Sequence, residues 1–373
     1  MSPKTKPLLV SELPRFGYLG RDILGLVAQI ALRMNFAEDC LIVTGPITQD
    51  VVGQRCRLVL ESENFNPSLH IVAEPILGEA ENLAALILEK DPGFIVAAGG
   101  GKIADVSKWA ARIAEAKSEK PYEIIGVPST APHEGIISPY CFLKTPLADN
   151  SDILVESYVG KARSPVGFVA DTQCIESCGF RNIIGGFAHL MSTVTSLWDW
   201  RLAHRVRGSS FSDYGAALSS VGSDLLEGEA QIPRISSMDQ AIRLVMKPLF
   251  VSGMGMCLSN SIRVSFGSEH LFATALARLT PSIETHHGER VGLGSIMSAY
   301  LQGQDWMRIR SLLQTVGAPI SASDLKLTPK IIVTALMSAH KISRPSVYTI
   351  LDESGLNAQA AEKLALKTEI ISK

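Results

Sequence analysis

One segment constrains the fold of this 373-residue chain more than any other: FIVAAGGGKIADVSKWAARIAE, residues 94–115. Its apolar beginning, residues 94–98, is typical of a parallel strand that is covered on both faces. Three glycines follow, and beyond them apolar residues recur at helical spacing. A helix that begins right after a glycine turn directs free N–H groups and a partial positive charge at the turn. The segment therefore predicts a turn that binds phosphate.

Two common phosphate-binding motifs do not fit this turn. A Walker A motif needs GxxxxGK followed by Ser or Thr, whereas Ile103 follows GGGK here. The GxGxxG fingerprint is also absent, and the turn does not lie in the first strand–helix–strand unit. A tight turn without any ligand would explain the glycines about as well, so the function of the turn depends on the rest of the chain.

Short apolar strands alternate with amphipathic stretches such as 78–90 in the first half of the chain. This alternation predicts an α/β fold with a doubly wound parallel sheet, in which ligands bind beyond the carboxyl ends of the strands. Thr44-Gly45, the three glycines and Ser129-Thr130 all follow candidate strands and are expected at that edge. The candidate strands are 40–45, 69–74, 94–98, 123–128 and 166–171.

The character of the chain changes from about residue 175, where strand signals fade. Long helical patterns at 238–260 and 290–315 predict a second, all-helical domain. The polar, proline-marked stretch at 144–166 is expected to be a hairpin or a loop that joins the two halves.

Composition excludes several classes of function. The net charge is −2 with both signs interspersed, so no extended nucleic-acid surface is expected. The sequence contains no uncharged run of 18 residues, so no membrane span is expected. The N-terminus lacks a signal-peptide core, which predicts a cytoplasmic protein. The apolar content of 46% favours self-association into a homo-oligomer.

Three dispersed residues suggest a metal site. Asp171 ends an apolar strand, where packing gives no reason for a carboxylate, and His270 and His287 lie in the helical half. One carboxylate and two imidazoles suit a divalent metal such as zinc and leave positions open for water or substrate, which is typical of a catalytic site.

Each of these residues also has a purely structural explanation. Asp171 would serve equally as a helix cap for the segment that follows it. His270 would serve as a hydrogen-bonded helix histidine, and His286-His287 as part of a solvated loop. Sequence spacing alone does not show that the three residues meet.

Eight blocks carry a resemblance to a known family: TGPIT (44–48), GGGKIADVSK (99–108), VPSTAPHEGIISP (127–139), VADTQCI (169–175), SLWDWRLAHR (196–205), GSEHLFATAL (267–276), HGERVGLGSIMSAYLQGQDW (287–306) and SRPSVYTIL (343–351). They resemble the glycerol-1-phosphate dehydrogenases, which share a superfamily with iron-containing alcohol dehydrogenases, glycerol dehydrogenase and dehydroquinate synthase. The resemblance extends roughly from Leu41 to Ile371, and the blocks around His270 and His287 are its most specific part.

The resemblance implies a Rossmann-like dinucleotide-binding domain at 1–165 and a helical domain that binds metal and substrate at 166–373. It implies NAD or NADP as cofactor and zinc, or another divalent metal such as iron or nickel. The implied reaction is the reversible reduction of dihydroxyacetone phosphate to sn-glycerol 1-phosphate. Residues carried over from the family are Asp171, His270 and His287 for the metal, and Thr44, Gly45, Gly99, Gly100, Gly101, Lys102, Asp105, Ser129 and Thr130 for the cofactor.

Substrate residues follow from the same resemblance. Arg263 matches an arginine that is a plausible phosphate anchor, because a guanidinium binds phosphate through two hydrogen bonds. Glu134 is the expected catalytic and substrate-binding carboxylate, which would relay the proton, and His287 is expected to take part in catalysis as a ligand. The alternative proton relays are His133, His189 and His286.

Three positions depart from the family pattern near the substrate. Glu134 stands where the family commonly has aspartate, Ala188-His189 replaces a glycine-aspartate pair, and Phe266 replaces a small residue. The exact substrate is therefore open and includes phosphorylated trioses and polyols. A non-redox cyclase of the dehydroquinate-synthase type and a binding protein without catalysis are the two alternatives. Gly45 stands where related enzymes often carry an aspartate that would repel the 2′-phosphate of NADP, so NADP should be tolerated.

Overall fold

A parallel six-stranded sheet forms the N-terminal half, in the order β1-β8-β5-β4-β2-β3. The computed structural model describes residues 12–131, 134–146, 154–228, 237–342, 347–352 and 354–372. The strands of this sheet are β1 (Phe16–Gly20), β2 (Asp39–Thr44), β3 (Asn66–Ile71), β4 (Phe94–Gly99), β5 (Ile124–Pro128) and β8 (Gly167–Asp171). A separate antiparallel hairpin is formed by β6 (Tyr140–Pro146) and β7 (Leu154–Lys161).

Helices flank the sheet and make up most of the C-terminal half. Those of the N-terminal half are α1 (Leu26–Arg33), α2 (Gln54–Ser62, preceded by a π-helical segment at Gln49–Gly53), α3 (Leu77–Lys90) and α4 (Gly101–Ser118). Those that follow the sheet are α5 (Thr172–Ile175), α6 (Phe180–Leu190), α7 (Ser192–Arg207), α8 (Asp213–Gly228), α9 (Met238–Ser259), α10 (Ser268–Leu279), α11 (His287–Leu301), α12 (Trp306–Thr315), α13 (Pro329–Ser338) and α14 (Ala358–Lys367). Short 3-10 segments are Glu134–Ile136, Glu176–Cys178, Ile262–Val264, Ser323–Leu325 and Ala339–Ile342.

Strand β4 shows why the sheet is buried on both faces. All six of its residues are buried. Phe94 and Val96 pack into the core formed with α1 and α2, whereas Ile95 and Ala97 pack into the core formed with α3 and α4. The side chains thus alternate between two apolar layers, which is why the sequence here is continuously apolar rather than alternating.

The five predicted strands and the predicted fold class are confirmed. The structure differs from the prediction in the number of strands and in some element boundaries. Strand β1 was not expected, and the 144–166 stretch contributes to a hairpin. Strand β8 lies inside the sheet, between β1 and β5, so the sheet extends to Asp171. The expected helix at 290–315 is two helices, α11 and α12.

Helix α9 alone, within the described ranges, has the length and apolar composition of a membrane span. In its most apolar window 67% of the residues are buried inside the protein. The helix supplies Ile242, Val245 and Leu249 to the core of the C-terminal half, so its apolar character is explained by packing between helices.

Candidate metal and dinucleotide site

The glycine turn after β4 leaves no room for side chains. A Cβ on Gly99 would lie 2.7 Å from Cγ1 of Ile103, and one on Gly100 would lie 3.0 Å from Oγ1 of Thr130. Gly101 begins α4, an 18-residue helix whose first turn has no side-chain cap. Bare backbone at the start of a long helix suits the pyrophosphate of a dinucleotide, as the sequence predicts.

The other predicted cofactor residues surround this turn. Thr44 ends β2, and its hydroxyl lies 2.9 Å from that of Thr48, which also accepts a hydrogen bond from the Gly45 N–H. The Ser129 N–H donates to the carbonyl of Gly99. Thr130 lines the small cleft above the glycines, and Lys102 is exposed on the first turn of α4. The three segments therefore meet at the carboxyl edge of the sheet.

Asp105 is placed deeper than the other predicted cofactor residues. It forms a buried ion pair of 2.8 Å with Lys108 and accepts a hydrogen bond from the Phe142 N–H. Burial raises the pKa of Asp105, and the ammonium of Lys108 opposes that rise. Lys108 also donates to the carbonyls of Gly135, Ser138 and Tyr140, so the pair anchors the segment that follows β5.

Three histidines meet in the helical half. His189 near the end of α6, His270 in the first turn of α10 and His287 at the start of α11 each offer a ring nitrogen, and these nitrogens lie within 4.8 Å of one another. Ring centroids are 5.2 Å apart for His189 and His270, 5.5 Å for His189 and His287, and 5.2 Å for His270 and His287. Burial lowers the pKa of His270, which favours its neutral, ligating form.

Two buried carboxylates, those of Glu134 and Glu269, lie within hydrogen-bond distance of two of these imidazoles. Glu134 Oε2 lies 2.8 Å from Nε2 of His189, and Glu134 Oε1 accepts a hydrogen bond from Ser252. Glu269 Oε1 lies 2.8 Å from Nδ1 of His270. Burial raises the pKa of Glu134, but its contact with His189 and the hydrogen bond from Ser252 outweigh burial and hold the pKa below its ordinary value. Glu134 is therefore a carboxylate at neutral pH.

The ligand set expected from the sequence needs one correction. Asp171 is fully buried at the end of β8, where its oxygens accept hydrogen bonds from the N–H groups of Asp22, Ile23 and Gln173. The last of these bonds caps α5, as in the structural explanation of this residue. His189 takes the place of Asp171 beside His270 and His287.

A cavity extends from the histidines between the β6–β7 hairpin and α10. Phe266 stacks on the ring of His270 with centroids 4.6 Å apart and narrows this cavity. Arg278 and Arg290 line it together with Glu156. Arg290 donates to the carbonyl and hydroxyl of Thr285, and its buried Nε has no hydrogen-bond partner among the described residues.

Arg263, the expected phosphate anchor, does not line the cavity. It is buried, it donates to the carbonyl of Tyr348, and the carboxylates of Asp199 and Asp352 act on it electrostatically. Its Nε and Nη1 are buried and have no hydrogen-bond partner among the described residues, so its role as phosphate anchor stays a prediction. Of the alternative proton relays, His286 caps α11 with Glu289, and His133 lies outside the described residues.

His189 could have been found from the sequence only by its position. In the sequence His189 is an imidazole where the family has an acid, whereas Asp171, at the end of a strand, has the more obvious signal of a ligand. Arg290 lies in the block 287–306 that carries the resemblance, but nothing in the sequence directs it to the substrate, and Arg278 lies outside all eight blocks.

Comparison with known proteins agrees with this architecture. Residues 18–179 match the family model described as iron-containing alcohol dehydrogenase. The glycerol-1-phosphate dehydrogenase [NAD(P)+] of Pyrococcus furiosus is 37% identical over 97% of this chain and 99% of its own length. That of Thermococcus sibiricus is 36% identical over 96% of this chain and 98% of its own.

The chain belongs to the glycerol-1-phosphate dehydrogenase family. It is accordingly an NAD(P)-dependent oxidoreductase that acts on a CH–OH group. Solved structures confirm the fold of this glycerol-1-phosphate dehydrogenase family member. Glycerol dehydrogenase from Schizosaccharomyces pombe superposes with a TM-score of 0.77 at 18% identity, over 98% of this chain and 91% of that one. A probable glycerol dehydrogenase from Sinorhizobium meliloti gives a TM-score of 0.73 at 17% identity, over 95% and 96%.

The histidine cluster fits the divalent metal that the family implies. Zinc–nitrogen bonds of about 2.0–2.1 Å place tetrahedral ligand nitrogens about 3.3 Å apart. The three ring nitrogens lie within 4.8 Å, so small side-chain rotations bring them to that distance. His189, His270 and His287 would hold such a metal through three imidazoles, which is the composition of a catalytic rather than a structural metal site.

Proposed function

We propose that this chain reversibly reduces dihydroxyacetone phosphate to sn-glycerol 1-phosphate with NADH or NADPH and a divalent metal held by His189, His270 and His287. The histidine cluster at the end of an arginine-lined cavity carries the proposal. The glycerol-1-phosphate dehydrogenases that are 36–37% identical to this chain support the substrate. The glycine turn supports the dinucleotide.

Different groups of side chains bind the metal, the dinucleotide and the substrate. When bound, the metal supplies a Lewis acid for the substrate oxygen and the reduced nicotinamide supplies the hydride. The three imidazoles hold the metal as neutral donors, while Gly99–Gly101 and the first turn of α4 receive the pyrophosphate. Phe266 and Phe142, with ring centroids 6.2 Å apart, narrow the cavity and exclude water from the reacting atoms.

Arg278 and Arg290 are the proposed phosphate-binding residues. Arg278 lies eight residues after His270 on α10, about 12 Å along the axis, and helical side chains lean back towards the N-terminus. Its guanidinium is therefore directed towards the histidine end of the cavity. Arg278 and Arg290 bring two guanidinium groups to the lining of this cavity. Guanidinium groups favour an anionic substrate.

The test is a turnover assay on protein loaded with zinc, nickel or iron. With dihydroxyacetone phosphate we expect stoichiometric oxidation of NADH or NADPH, which a cyclase that recycles its cofactor would not give. Arg290→Gln should raise KM for dihydroxyacetone phosphate by about tenfold or more, because a charged hydrogen-bond donor to phosphate is lost. Unphosphorylated dihydroxyacetone is the matched control, and its KM should not change.

Two outcomes would count against the proposal. No turnover with any of the metals would favour a binding protein without catalysis. An unchanged KM for dihydroxyacetone phosphate in Arg290→Gln would show that the phosphate binds elsewhere, even if the reaction itself is correct.

We further propose a cytoplasmic homo-oligomer that accepts both cofactors. Gly45 places no carboxylate at the end of β2, so nothing at this position repels a 2′-phosphate. Light scattering on the purified protein tests self-association, and fractionation of the cells that produce it tests its location.

A further inference from the structure

The carboxylate of Glu134 is enclosed between the two halves of the molecule. It is 2% exposed, and its backbone lies in a 3-10 turn that follows β5. Lys108 fixes this turn by donating to the Gly135 carbonyl at 2.8 Å. On the opposite side, Ser252 of α9 donates to Oε1 at 2.8 Å. Contacts to the backbone of this turn and to Oε1 thus fix the position of the carboxylate. Its second oxygen, Oε2, faces His189 of α6.

The contact with His189 determines which ring nitrogen remains for a cation. Glu134 Oε2 lies 2.8 Å from Nε2 of His189, so Nε2 carries the proton in that bond and the lone pair is on Nδ1. The arrangement at His270 is the reverse, because Glu269 takes Nδ1 and leaves Nε2. The two imidazoles therefore offer different nitrogens to a cation, Nδ1 for His189 and Nε2 for His270.

The charge of a bound cation gives a second reason for a carboxylate beside His189. Three neutral imidazoles leave both charges of a divalent cation uncompensated in a buried site, which is costly in a medium of low dielectric constant. Glu134 and Glu269 each lie one hydrogen bond away from a ligating ring and together supply two negative charges. A carboxylate in this position also makes the imidazole a stronger donor to metal.

We infer that Glu134 is a positioning residue, which fixes His189 as the Nε2–H tautomer and presents its Nδ1 to the metal. This inference rests on the proposed function and replaces the expected role of Glu134 as proton relay. Both carboxylate oxygens of Glu134 are already engaged, one by His189 and one by Ser252, which suits a group that orients a neighbouring ring. A positioning carboxylate keeps both bonds throughout.

The experiment compares Glu134→Gln with Glu156→Gln. Both variants remove one negative charge from the same cavity, but only Glu134 is hydrogen-bonded to His189. Metal affinity is measured by competition between the apoprotein and a chromophoric chelator for Zn²⁺ or Co²⁺. We expect Glu134→Gln to weaken binding by about 10–100-fold, as for other carboxylates behind a ligating histidine. Glu156→Gln should change it less than about threefold.

Two further readouts separate positioning from simple loss of structure. The visible spectrum of the Co²⁺ protein and the ¹⁵N shifts of His189 should change in Glu134→Gln, because an amide is uncharged and can donate as well as accept, so it no longer fixes the tautomer of the ring. Ser252→Ala leaves the bond to His189 in place, and it should give a smaller loss of affinity with an unchanged His189 tautomer.

Several results would overturn the inference. One is metal binding by Glu134→Gln that is as tight as in the wild type. Another is an equal loss of metal affinity in Glu134→Gln and Glu156→Gln, which would reflect the charge of the cavity alone. A wild-type protein that binds no metal would reject the proposed function as well. Wild-type binding with an unaffected Glu134→Gln would reject only the positioning role, so the two failures are distinguishable.

Discussion

Asp199 and Glu269 place two carboxylates in one buried region behind the histidine cluster. Asp199 accepts hydrogen bonds from the N–H groups of Ser268 and Ile350 at 2.7 and 2.9 Å. Burial, and then the negative charge of Glu269, raise the pKa of Asp199 to about 7. Asp199 thus stabilises the start of α10 at the cost of holding an acid that titrates near neutral pH.

This pKa predicts a loss of stability between pH 6 and pH 8. The folded-state pKa lies above the unfolded value, so the folded protein releases a proton in this range while the unfolded chain has already lost it. The free energy of unfolding should fall by about 1.4 kcal/mol over these two pH units. Urea unfolding of metal-free protein at both pH values measures the fall.

Asp199→Asn is the matched control for this effect. The variant should be less stable overall, because its NH₂ group faces a backbone N–H, but it should lack this part of the pH dependence. The difference in slope between the two proteins is the quantity to compare, since the histidines titrate in both. Equal slopes would mean that Asp199 keeps an ordinary pKa.

The crossing of α6 and α11 brings His189 and His287 together. A Cβ added to Gly288 would lie 1.8 Å from the carbonyl oxygen of Gly185, so the two backbones are in direct contact there. Gly185 precedes His189 by one helical turn, and Gly288 directly follows His287. The separation of the two ligands is therefore set by glycine at the crossing point.

Gly288→Ala should push the two helices apart. A backbone carbonyl cannot rotate away as a side chain can, so we expect a loss of about 2–3 kcal/mol of stability and weaker metal binding. Thermal unfolding and chelator competition measure the two effects. Gly78→Ala, in the first turn of α3 with open space around its Cβ position, is the control and should be close to neutral. A neutral Gly288→Ala would show that the crossing can relax.

The same contact shows why part of the site could not be read from the sequence. The strands were predictable because burial on two faces makes each one continuously apolar, whereas β1 is a half-exposed edge strand with two glycines. The glycine turn was predictable because strand, turn and helix are local. The meeting of His189 with His270 and His287 depends on how distant helices cross.

Asp171 shows a different limit of sequence reasoning. A carboxylate that caps a helix and one that binds a metal look the same at the end of a strand, and only its hydrogen bonds to Asp22, Ile23 and Gln173 distinguish them. The break between α11 and α12 has a local cause, since Gly303 has a φ of +68°, yet a helical pattern continues on both sides of it.

The segment after β5 links the cofactor edge to the metal cluster. Lys108 of α4 holds the carbonyls of Gly135 and Ser138, and Glu134 in the same segment contacts His189 and Ser252 of the helical half. The glycines of the dinucleotide turn lie between the end of β4 and the start of α4, and Thr130 and Ile136 of the linking segment also line the cleft above them. Metal should therefore stabilise the helical half and the linking segment, while the dinucleotide turn keeps its shape without it.

Removal of the metal tests this division. A chelator should lower the midpoint of thermal unfolding, and restoring metal to about 100 times its Kd should return about 2.7 kcal/mol of stability. NADH binding, followed by its fluorescence, should change less than about threefold, because Gly99–Gly101 and α4 do not contact the histidines through any described hydrogen bond. His287→Ala is the control: it should bind NADH but show no shift on addition of metal. Loss of NADH binding in both the chelated protein and His287→Ala would mean that the metal organises the cofactor site as well, and that the two halves do not act separately.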